Sequence, residues 1–310
     1  MFAGIGGICS GFKQAGYEMV WANEIDAATC KSYRHNFGDE WLAEQDVRKV
    51  NPKDIPDMDV LTAGFPCQSF SVAGTQKGFN DPRGNLFFEI ARIIDAKRPR
   101  FIFLENVSNL VEHDDGRTFL VIYNSLVQFG YAVRYRVMDA HKYGNLPQPR
   151  SRIFVIAFLD FDACDRFLYP APIDLNVGIN DIINRKEKKH DIYYYKKDSQ
   201  VSLKYGKQIH DKGYIYRISD KGLIRVRKHY CPTLTANMGT YPNRVPIVRD
   251  DYGLRRLTLR ECLAFQGFPA DYKFPNNITI NDAYKQIGNS VCVPVVKRLA
   301  ESLLTASDGV

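Results

Sequence analysis

Hydrophobic and polar positions follow two periods along the first 170 residues of the chain. Short apolar runs of strand length predict β-strands at residues 18–22, 60–63, 101–104, 133–137 and 153–159. Between them, apolar residues recur at the spacing of one helix face and predict helices over residues 27–37, 86–97 and 119–129. Strands that alternate with helices favour the α/β class, here a doubly wound and mostly parallel sheet.

The pattern changes after residue 171. Elements become short, Gly, Asp and Asn interrupt them, and residues 214–218 form a β-type run, so we predict a second, smaller and strand-rich domain. Helical spacing returns at residues 293–304, which we expect to rejoin the first domain. The predicted bounds are 1–176 and 282–310 for the first domain, 177–256 for the second, and 257–281 for a hinge segment.

Positive charge is concentrated in the second predicted domain. Residues 171–256 contain 18 Lys and Arg against 9 Asp and Glu, whereas the rest of the chain contains 24 against 26. Nine tyrosines lie among these basic residues. Basic side chains neutralise phosphates and aromatic rings pack on sugars and bases, so this composition suits a polyanionic partner. A solvated surface patch has the same composition, so charge alone does not decide between the two.

Two classes of protein are disfavoured by the rest of the composition. We find no run of about 18 apolar residues and no basic-then-apolar leader, so we expect no membrane span and a cytoplasmic location. The seven cysteines are odd in number and scattered, without a Cys-x-x-Cys pair. This spacing disfavours a disulfide scaffold and a structural zinc site.

One cysteine follows the second predicted strand. Residues 64–71 read GFPCQSFS, so Cys67 lies in a turn with a proline before it and hydroxyl and amide side chains after it. Free cysteines are often buried as small hydrophobes. A core strand would not carry so many polar groups, however, so we expect a solvent-facing loop. Open α/β sheets carry their chemistry at the carboxyl ends of strands, and we therefore interpret Cys67 as a nucleophile.

A glycine-rich turn opens the chain. Residues 2–7 read FAGIGG, and residues 23–26 read NEID at the end of the next strand. Such glycines let a ligand approach the backbone, and the acid can accept both hydroxyls of a ribose, which predicts an adenosine-containing cofactor. A dinucleotide site needs a third glycine at position 9, where this chain has Cys9. A ligand without phosphates, such as S-adenosylmethionine, does not need it. An ordinary tight turn remains the alternative.

Two further motifs bring polar side chains to the same sheet edge. Residues 101–107 read FIFLENV, which puts Glu105 at the end of an apolar strand, where it can donate a proton. Residues 148–152 read QPRSR and enter the next strand, so we expect Arg150 and Arg152 to share a face and to hold a carboxylate, a carbonyl or a phosphate. Each motif alone also fits a structural ion pair or a surface acid.

In this order the motifs resemble the C5-cytosine DNA methyltransferases of bacterial restriction-modification systems, over nearly the whole chain. The matching segments are residues 2–7, 23–26, 45–47, 64–68, 105–107, 148–152, 233–236, 256–262 and 286–291. The resemblance implies the fold of S-adenosylmethionine-dependent methyltransferases, with target recognition in the basic domain. It also implies methyl transfer to C5 of a cytosine flipped out of duplex DNA, with S-adenosylhomocysteine as the other product.

The resemblance also implies a role for individual residues. Cys67 would add to C6 of cytosine, Glu105 would protonate N3, and Arg152 would hold O2. Arg150 would support the loop or the charge of the substrate. The implied cofactor contacts are Phe2, Ala3, Gly4, Gly6, Gly7, Glu24, Ile25, Asp46, Val47, Pro66 and Asn289. The implied DNA contacts are Gln68, Ser71, Arg83, Thr233 and Thr235, and no metal is expected.

The expected partner is double-stranded DNA, with no membrane, and the protein is expected to act as a monomer beside a separate restriction endonuclease. A tRNA-cytosine methyltransferase of the same family would share the chemistry, but the large basic domain favours duplex DNA. An NAD-dependent oxidoreductase is disfavoured, because Cys9 stands where a dinucleotide site needs its third glycine. A non-catalytic DNA-binding module conflicts with the presence of Cys67, Glu105 and Arg152 together. In this family an apolar strand runs into the glycine turn, and here only Met1 precedes it, so either the chain begins inside that strand or the true start lies upstream. We expect a short first strand and a reduced affinity for the cofactor.

Overall fold

The computed structural model describes residues 1–66, 86–240 and 244–307. The chain divides into two compact units. Unit 1 comprises Met1–Asp139, Ser151–Ala171 and Val295–Val310, and unit 2 comprises Ala140–Arg150 and Pro172–Pro294. Within the described ranges, no helix is long and apolar enough to span a membrane.

Helices and strands alternate in unit 1 and become shorter in unit 2. The described strands are β1 (Ala22–Glu24), β2 (Leu42–Glu44), β3 (Val60–Gly64), β4 (Phe101–Val107), β5 (Ala132–Asp139), β6 (Ser151–Phe158), β7 (Tyr216–Ser219), β8 (Gly222–Arg225), β9 (Ile247–Arg249) and β10 (Leu254–Arg256). The described helices are α1 (Gly7–Gln14), α2 (Ala27–Phe37), α3 (Leu86–Lys97), α4 (Arg117–Gln128), α5 (Ala140–Tyr143), α6 (Phe161–Arg166), α7 (Ile179–Ile182), α8 (Gln200–Tyr205), α9 (Asn237–Thr240), α10 (Leu259–Phe265), α11 (Ile280–Asn289) and α12 (Val293–Ser307).

The central sheet of unit 1 has the strand order β3-β4-β6-β5. Strand β3 pairs parallel with β4, whereas β6 runs antiparallel to both β4 and β5. The predicted α/β class is confirmed, and the sheet is mixed because β6 enters between β4 and β5 in the opposite direction. The predicted helices over residues 27–37 and 86–97 coincide with α2 and α3.

Strand β4 is the centre of the core. Its first six residues are buried, a pattern typical of a strand that is covered on both faces. On one face, Ile102 and Leu104 belong to a cluster with residues of α3 and α4. On the other face, Phe103 meets the ring of Phe12 in α1 edge-on, with ring centroids 5.1 Å apart. This packing fixes the carboxyl end of β4, where Glu105 lies.

Strands β1 and β2 form a separate parallel pair. Among the described residues, none before α1 forms a strand. Instead, the Met1 amino group donates to the Thr62 carbonyl at 2.6 Å, and the Ala3 amide donates to the Asn23 carbonyl at 2.9 Å. The first three residues therefore contact both the β1-β2 pair and the central sheet.

A cavity of about 280 Å³ lies beside these first residues. It is lined by side chains that include Phe12, Trp21 and Leu61. The strand predicted over residues 18–22 lies later in the chain, at Ala22–Glu24, which pair with β2. Residues 18–21 instead line this cavity.

Unit 2 contains an antiparallel sheet with the order β10-β9-β7-β8, as expected for a strand-rich region. Its core cluster includes Val201, Ile209 and Tyr216, and Tyr195 and Tyr214 pack against it. Tyr216 is therefore a core residue of this unit, and Tyr195 and Tyr214 are partly buried against the core.

A buried ionic network ties β10 to α10. Arg255 is fully buried; it donates to Asp250 at 2.6 Å and, through two nitrogens, to both carboxylate oxygens of Glu261 at 2.8 Å. The Tyr194 hydroxyl also donates to Asp250, at 2.8 Å. Because removing one member of a buried charge set leaves the others uncompensated, this network is a strong constraint on the end of the sheet.

Candidate active site

The glycine turn has the backbone geometry that only glycine adopts easily. Gly4 and Gly6 have φ angles of +55° and +79°, in the left-handed region, and α1 begins directly after Gly6. A Cβ atom on Gly6 would lie 2.1 Å from the ring of Phe37, whereas a Cβ atom on Gly4 would meet nothing within 4 Å. The turn is therefore closed toward α2 at Gly6 and open at Gly4.

Glu24 connects this turn to the end of β1. Its carboxylate accepts hydrogen bonds from the amides of Gly4 at 2.9 Å, Ile25 at 2.8 Å and Asp26 at 3.0 Å. The side chain of Ile25 is 60% exposed beside it. Asp26 instead accepts from Thr29 at 2.7 Å as the N-cap of α2. Of the two acids in this motif, Glu24 is thus the one that contacts the glycine turn.

Asp46 and Val47, the other cofactor contacts in this region, lie at a 3-10 turn after β2. The Asp46 carboxylate accepts from the Arg48 amide at 3.0 Å and pairs with the Arg48 guanidinium, which lowers the pKa of Asp46 from its ordinary value. Val47 is buried. The carboxylate of Asp46 is therefore held in its charged form.

At position 9, the structure has a buried thiol. Cys9 is held at 3.6 Å by the Tyr33 hydroxyl, and burial raises the pKa of the thiol. The glycine that permits close helix packing lies at Gly11, where a Cβ atom would approach Val296 of α12 to 2.5 Å. Sequence reasoning missed Gly11, because the third glycine was sought only at the dinucleotide spacing.

The predicted nucleophile Cys67 lies outside the described residues, as do the predicted DNA contacts Gln68, Ser71 and Arg83. The described chain before them ends with Phe65, which is buried, and Pro66, which is exposed. The Asn106 side-chain amide donates to the Phe65 carbonyl at 2.9 Å. Asn106 was not predicted as a site residue, yet it anchors the backbone two residues before Cys67.

Glu105 and Arg152 form an ion pair at the carboxyl end of β4. In the β4-β6 register Arg152 lies opposite Val107, and Val107 shares a face with Glu105, so the two side chains are diagonal neighbours. Arg152 Nε lies 3.0 Å from Glu105 Oε1, and both side chains are largely buried. Arg152 also donates to the Ser151 carbonyl at 2.8 Å.

Arg150 has other partners. Strand β6 begins at Ser151, so Arg150 directly precedes the strand. Arg150 is the last residue of the Ala140–Arg150 segment of unit 2. There it is buried, and its guanidinium donates to the carbonyls of Leu234, Gly288 and Ser290. The two arginines, expected to hold the same group, therefore have different partners: Glu105 for Arg152 and three backbone carbonyls for Arg150.

The remaining predicted contacts lie in unit 2. Thr233 and Thr235 are exposed and flank the buried Leu234, while Asn289 is exposed at the last residue of α11. Of the 18 basic residues between positions 171 and 256, 12 are exposed: Lys186, Lys188, Lys196, Lys197, Lys204, Lys207, Lys212, Arg217, Lys221, Arg225, Arg227 and Lys228. Most of the positive charge of this segment is thus available to a partner.

Comparison with known proteins gives consistent matches along the chain. Residues 1–305 match the family described as C-5 cytosine-specific DNA methylase. The chain is 46% identical over 306 residues to the type II methyltransferase M.Bsp6I of a Bacillus species, covering 98% of this chain and 96% of the relative. It is 35% identical over 307 residues to M.HhaI of Haemophilus parahaemolyticus, covering 98% and 92%.

A likeness in fold accompanies these matches in sequence. The crystal structure of the Schizosaccharomyces pombe Dnmt2 methyltransferase aligns with a TM-score of 0.73 at 23% identity, over 98% of this chain and 97% of that one. From the family match and the identities above, the chain belongs to the C-5 cytosine-specific DNA methylase family, and it is a DNA cytosine methyltransferase.

Proposed function

We propose that this enzyme transfers a methyl group from S-adenosylmethionine to C5 of a flipped-out cytosine in a specific duplex DNA site, through a covalent bond between Cys67 and C6. The observation that carries the proposal is the Glu105–Arg152 pair, 3.0 Å apart on one face of the sheet. Strand β3, which leads toward Cys67, is paired parallel with β4 so that Gly64 lies opposite Glu105. The acid, the guanidinium and the start of the nucleophile loop therefore belong to one sheet edge.

The residues of the glycine turn fit S-adenosylmethionine. The Glu24 carboxylate, held by three backbone amides, has the chemistry to accept ribose hydroxyls. Exposed Ile25 offers apolar surface to an adenine, and the Asp46 carboxylate can accept from its amino group, with Val47 beside it in the proposed set. Phe2, Ala3, Gly4, Gly6, Gly7, Pro66 and Asn289 complete the proposed set. When bound, the cofactor supplies a methyl group on a positively charged sulfonium.

The chain's own residues would prepare cytosine for this transfer. C5 of cytosine is a weak nucleophile, so the Cys67 thiolate first forms a bond to C6, and the electrons of the C5–C6 double bond become available at C5. Glu105 protonates N3 as the thiolate adds, and Arg152 donates to the O2 oxygen, which gains negative charge. After C5 takes the methyl group, the C5 proton leaves to a base, N3 returns its proton to Glu105 as the Sγ–C6 bond breaks, and the thiolate is regenerated.

The basic segment would bind the DNA. Flipping a cytosine out of a duplex costs a few kcal/mol, which phosphate contacts can offset. We assign target recognition to residues 177–256, with Thr233 and Thr235 among the contacts, and assign 257–281 as a hinge. Gln68, Ser71 and Arg83 of the nucleophile loop are proposed as further DNA contacts.

The relatives are named as type II methyltransferases, which supports a role in a restriction-modification system. We propose that the enzyme works as a monomer in the bacterial cytoplasm, where its DNA lies, and that a cognate endonuclease acts separately.

Methylation of unmethylated genomic DNA with labelled S-adenosylmethionine, followed by bisulfite mapping, tests the proposal. We expect label at cytosine in one short sequence, and none with Cys67→Ser. The same assay with total tRNA serves as the comparison. Label in tRNA but not in DNA, or label at adenine, would contradict the proposed function.

A further inference from the structure

Two side chains of the 148–152 motif hold the backbone of a single residue, Leu234, of the predicted recognition segment. Arg150 donates to the Leu234 carbonyl at 2.5 Å, and the Gln148 side-chain oxygen accepts from the Leu234 amide at 2.9 Å. Gln148 and Leu234 are both 0% exposed. Neither Gln148 nor Leu234 lies in a described β-strand. The side chains of Gln148 and Arg150 therefore supply the hydrogen bonds that a neighbouring strand would give to the Leu234 backbone.

Both side chains also reach other elements of unit 2. Arg150 donates to the Gly288 carbonyl at 3.0 Å and to the Ser290 carbonyl, at the carboxyl end of α11, where a positive charge is favourable. Gln148 donates to the Phe265 carbonyl at the end of α10, at 2.8 Å. Three segments that are far apart in sequence are thus joined through two side chains.

The approach of these segments is close. A Cβ atom on Gly288 would lie 2.2 Å from the carbonyl carbon and oxygen of Thr235, so only glycine fits there. The Thr233 hydroxyl donates to the Pro149 carbonyl at 2.6 Å. The Thr233 hydroxyl and the Thr235 carbonyl, on the two sides of Leu234, are therefore held in place, while both threonine residues remain exposed.

We infer that Gln148 and Arg150 are positioning residues for DNA recognition: they clamp the backbone of Leu234 and thereby hold its exposed neighbours Thr233 and Thr235 in one arrangement toward DNA. This inference rests on the proposed function. It replaces the role that the resemblance implied for Arg150, since its guanidinium is buried and donates to three backbone carbonyls. Arg152 alone of the two arginines then acts on the base.

The inference predicts that loss of the clamp changes DNA binding and leaves the methyl-transfer step unchanged. If the clamp is lost, Thr233 and Thr235 sample several positions, which weakens cognate binding and lowers discrimination between cognate and non-cognate DNA. DNA must then re-order this backbone on binding, and if that costs as much as the lost hydrogen bonds from a charged donor, Kd rises about 10-fold to 100-fold. The methyl-transfer step on bound DNA keeps its rate, because Cys67, Glu105 and Arg152 are unchanged.

The test compares Arg150→Met and Arg150→Lys with Arg152→Met, using full-length enzyme. Arg100→Met, which removes an exposed charge in unit 1, is the control for net charge. Kd is measured for cognate and non-cognate duplexes, and the single-turnover rate constant is measured at saturating DNA. For Arg150→Met we expect a cognate Kd raised about 10-fold or more, reduced discrimination and a rate constant within about three-fold of the parent.

Arg150→Lys retains the charge at the end of α11 and keeps the inference testable if Arg150→Met does not fold. We expect it to show a smaller rise in cognate Kd with the rate constant unchanged. A fall in rate constant with Kd unchanged, the pattern expected of Arg152→Met, would overturn the inference. Unchanged Kd and discrimination in folded Arg150→Met would also overturn it. Failure of the parent enzyme to methylate DNA at all would instead contradict the proposed function.

Discussion

Replacing Arg152 by methionine should destabilise the protein as well as inactivate it. Arg152 Nε lies 3.0 Å from Glu105 Oε1, with side-chain exposures of 18% and 10%. At this separation the gross attraction is about 5 kcal/mol at an effective dielectric constant near 20. Desolvation offsets part of it, and breaking a buried pair by removing one partner costs about 3–5 kcal/mol. Because water reaches both groups to some extent, we expect the lower end, about 3 kcal/mol.

The double variant Glu105→Gln/Arg152→Met separates stability from catalysis. Glu105→Gln removes the buried negative charge that Arg152→Met leaves without a partner. The double variant should therefore recover part of the lost free energy of unfolding. It should not recover methyl transfer, since both proposed contacts to the base are absent. Urea denaturation gives the free energies of unfolding, and single-turnover assays give the rates. An Arg152→Met protein as stable as the parent, or an active double variant, would refute the reasoning.

Three further perturbations follow from the geometry. Gly6→Ala should weaken S-adenosylmethionine binding by about 10-fold or more, because φ at Gly6 is +79° and the added methyl group would clash with the Phe37 ring. Gly16→Ala is the matched control for backbone strain, since φ there is +95° and no atom beyond the adjacent residues lies within 4 Å of the added methyl group. Calorimetric titration with S-adenosylmethionine measures the affinity of both variants. Arg255→Met should lower the free energy of unfolding by about 3–5 kcal/mol, whereas Arg217→Met, at an exposed position of the same sheet, should change it by less than about 0.5 kcal/mol; equal effects in urea denaturation would contradict a structural role for the buried network. Affinity for duplex DNA should fall by about 10³ between 50 and 200 mM salt if six phosphates are contacted, so a flat salt dependence in a fluorescence titration would count against phosphate binding.

The sequence predicted those elements whose fold depends on a single local pattern of apolar residues. Strand β4 and the position of Glu105 at its end follow from an unbroken apolar run, because such a run is buried wherever it folds. Helices α2 and α3 follow from the spacing of apolar residues in the same way. The face shared by Glu105 and Arg152, in contrast, depends on the antiparallel register of β4 and β6, which the predicted parallel order did not contain.

The structural role of Arg150 was beyond the reach of sequence reasoning. Alternation along a strand places residues 150 and 152 on one face, but Arg150 precedes the strand, and its partners lie about 84 and 138 residues away along the chain. Asn106 is a similar case. Its position after Glu105 suggested no function, and only the fold brings its amide to the Phe65 carbonyl.

The central claim is that the Cys67 thiolate bonds to C6 of cytosine, and a duplex with 5-fluorocytosine at the target base tests it most directly. Fluorine at C5 cannot leave as a proton does, so methyl transfer should leave enzyme and DNA joined through the Sγ–C6 bond. We predict an adduct that survives denaturing electrophoresis and maps to Cys67 by mass spectrometry, with none for Cys67→Ser. An adduct at another cysteine, or methylation of ordinary cytosine by Cys67→Ser at the parent rate, would contradict the account.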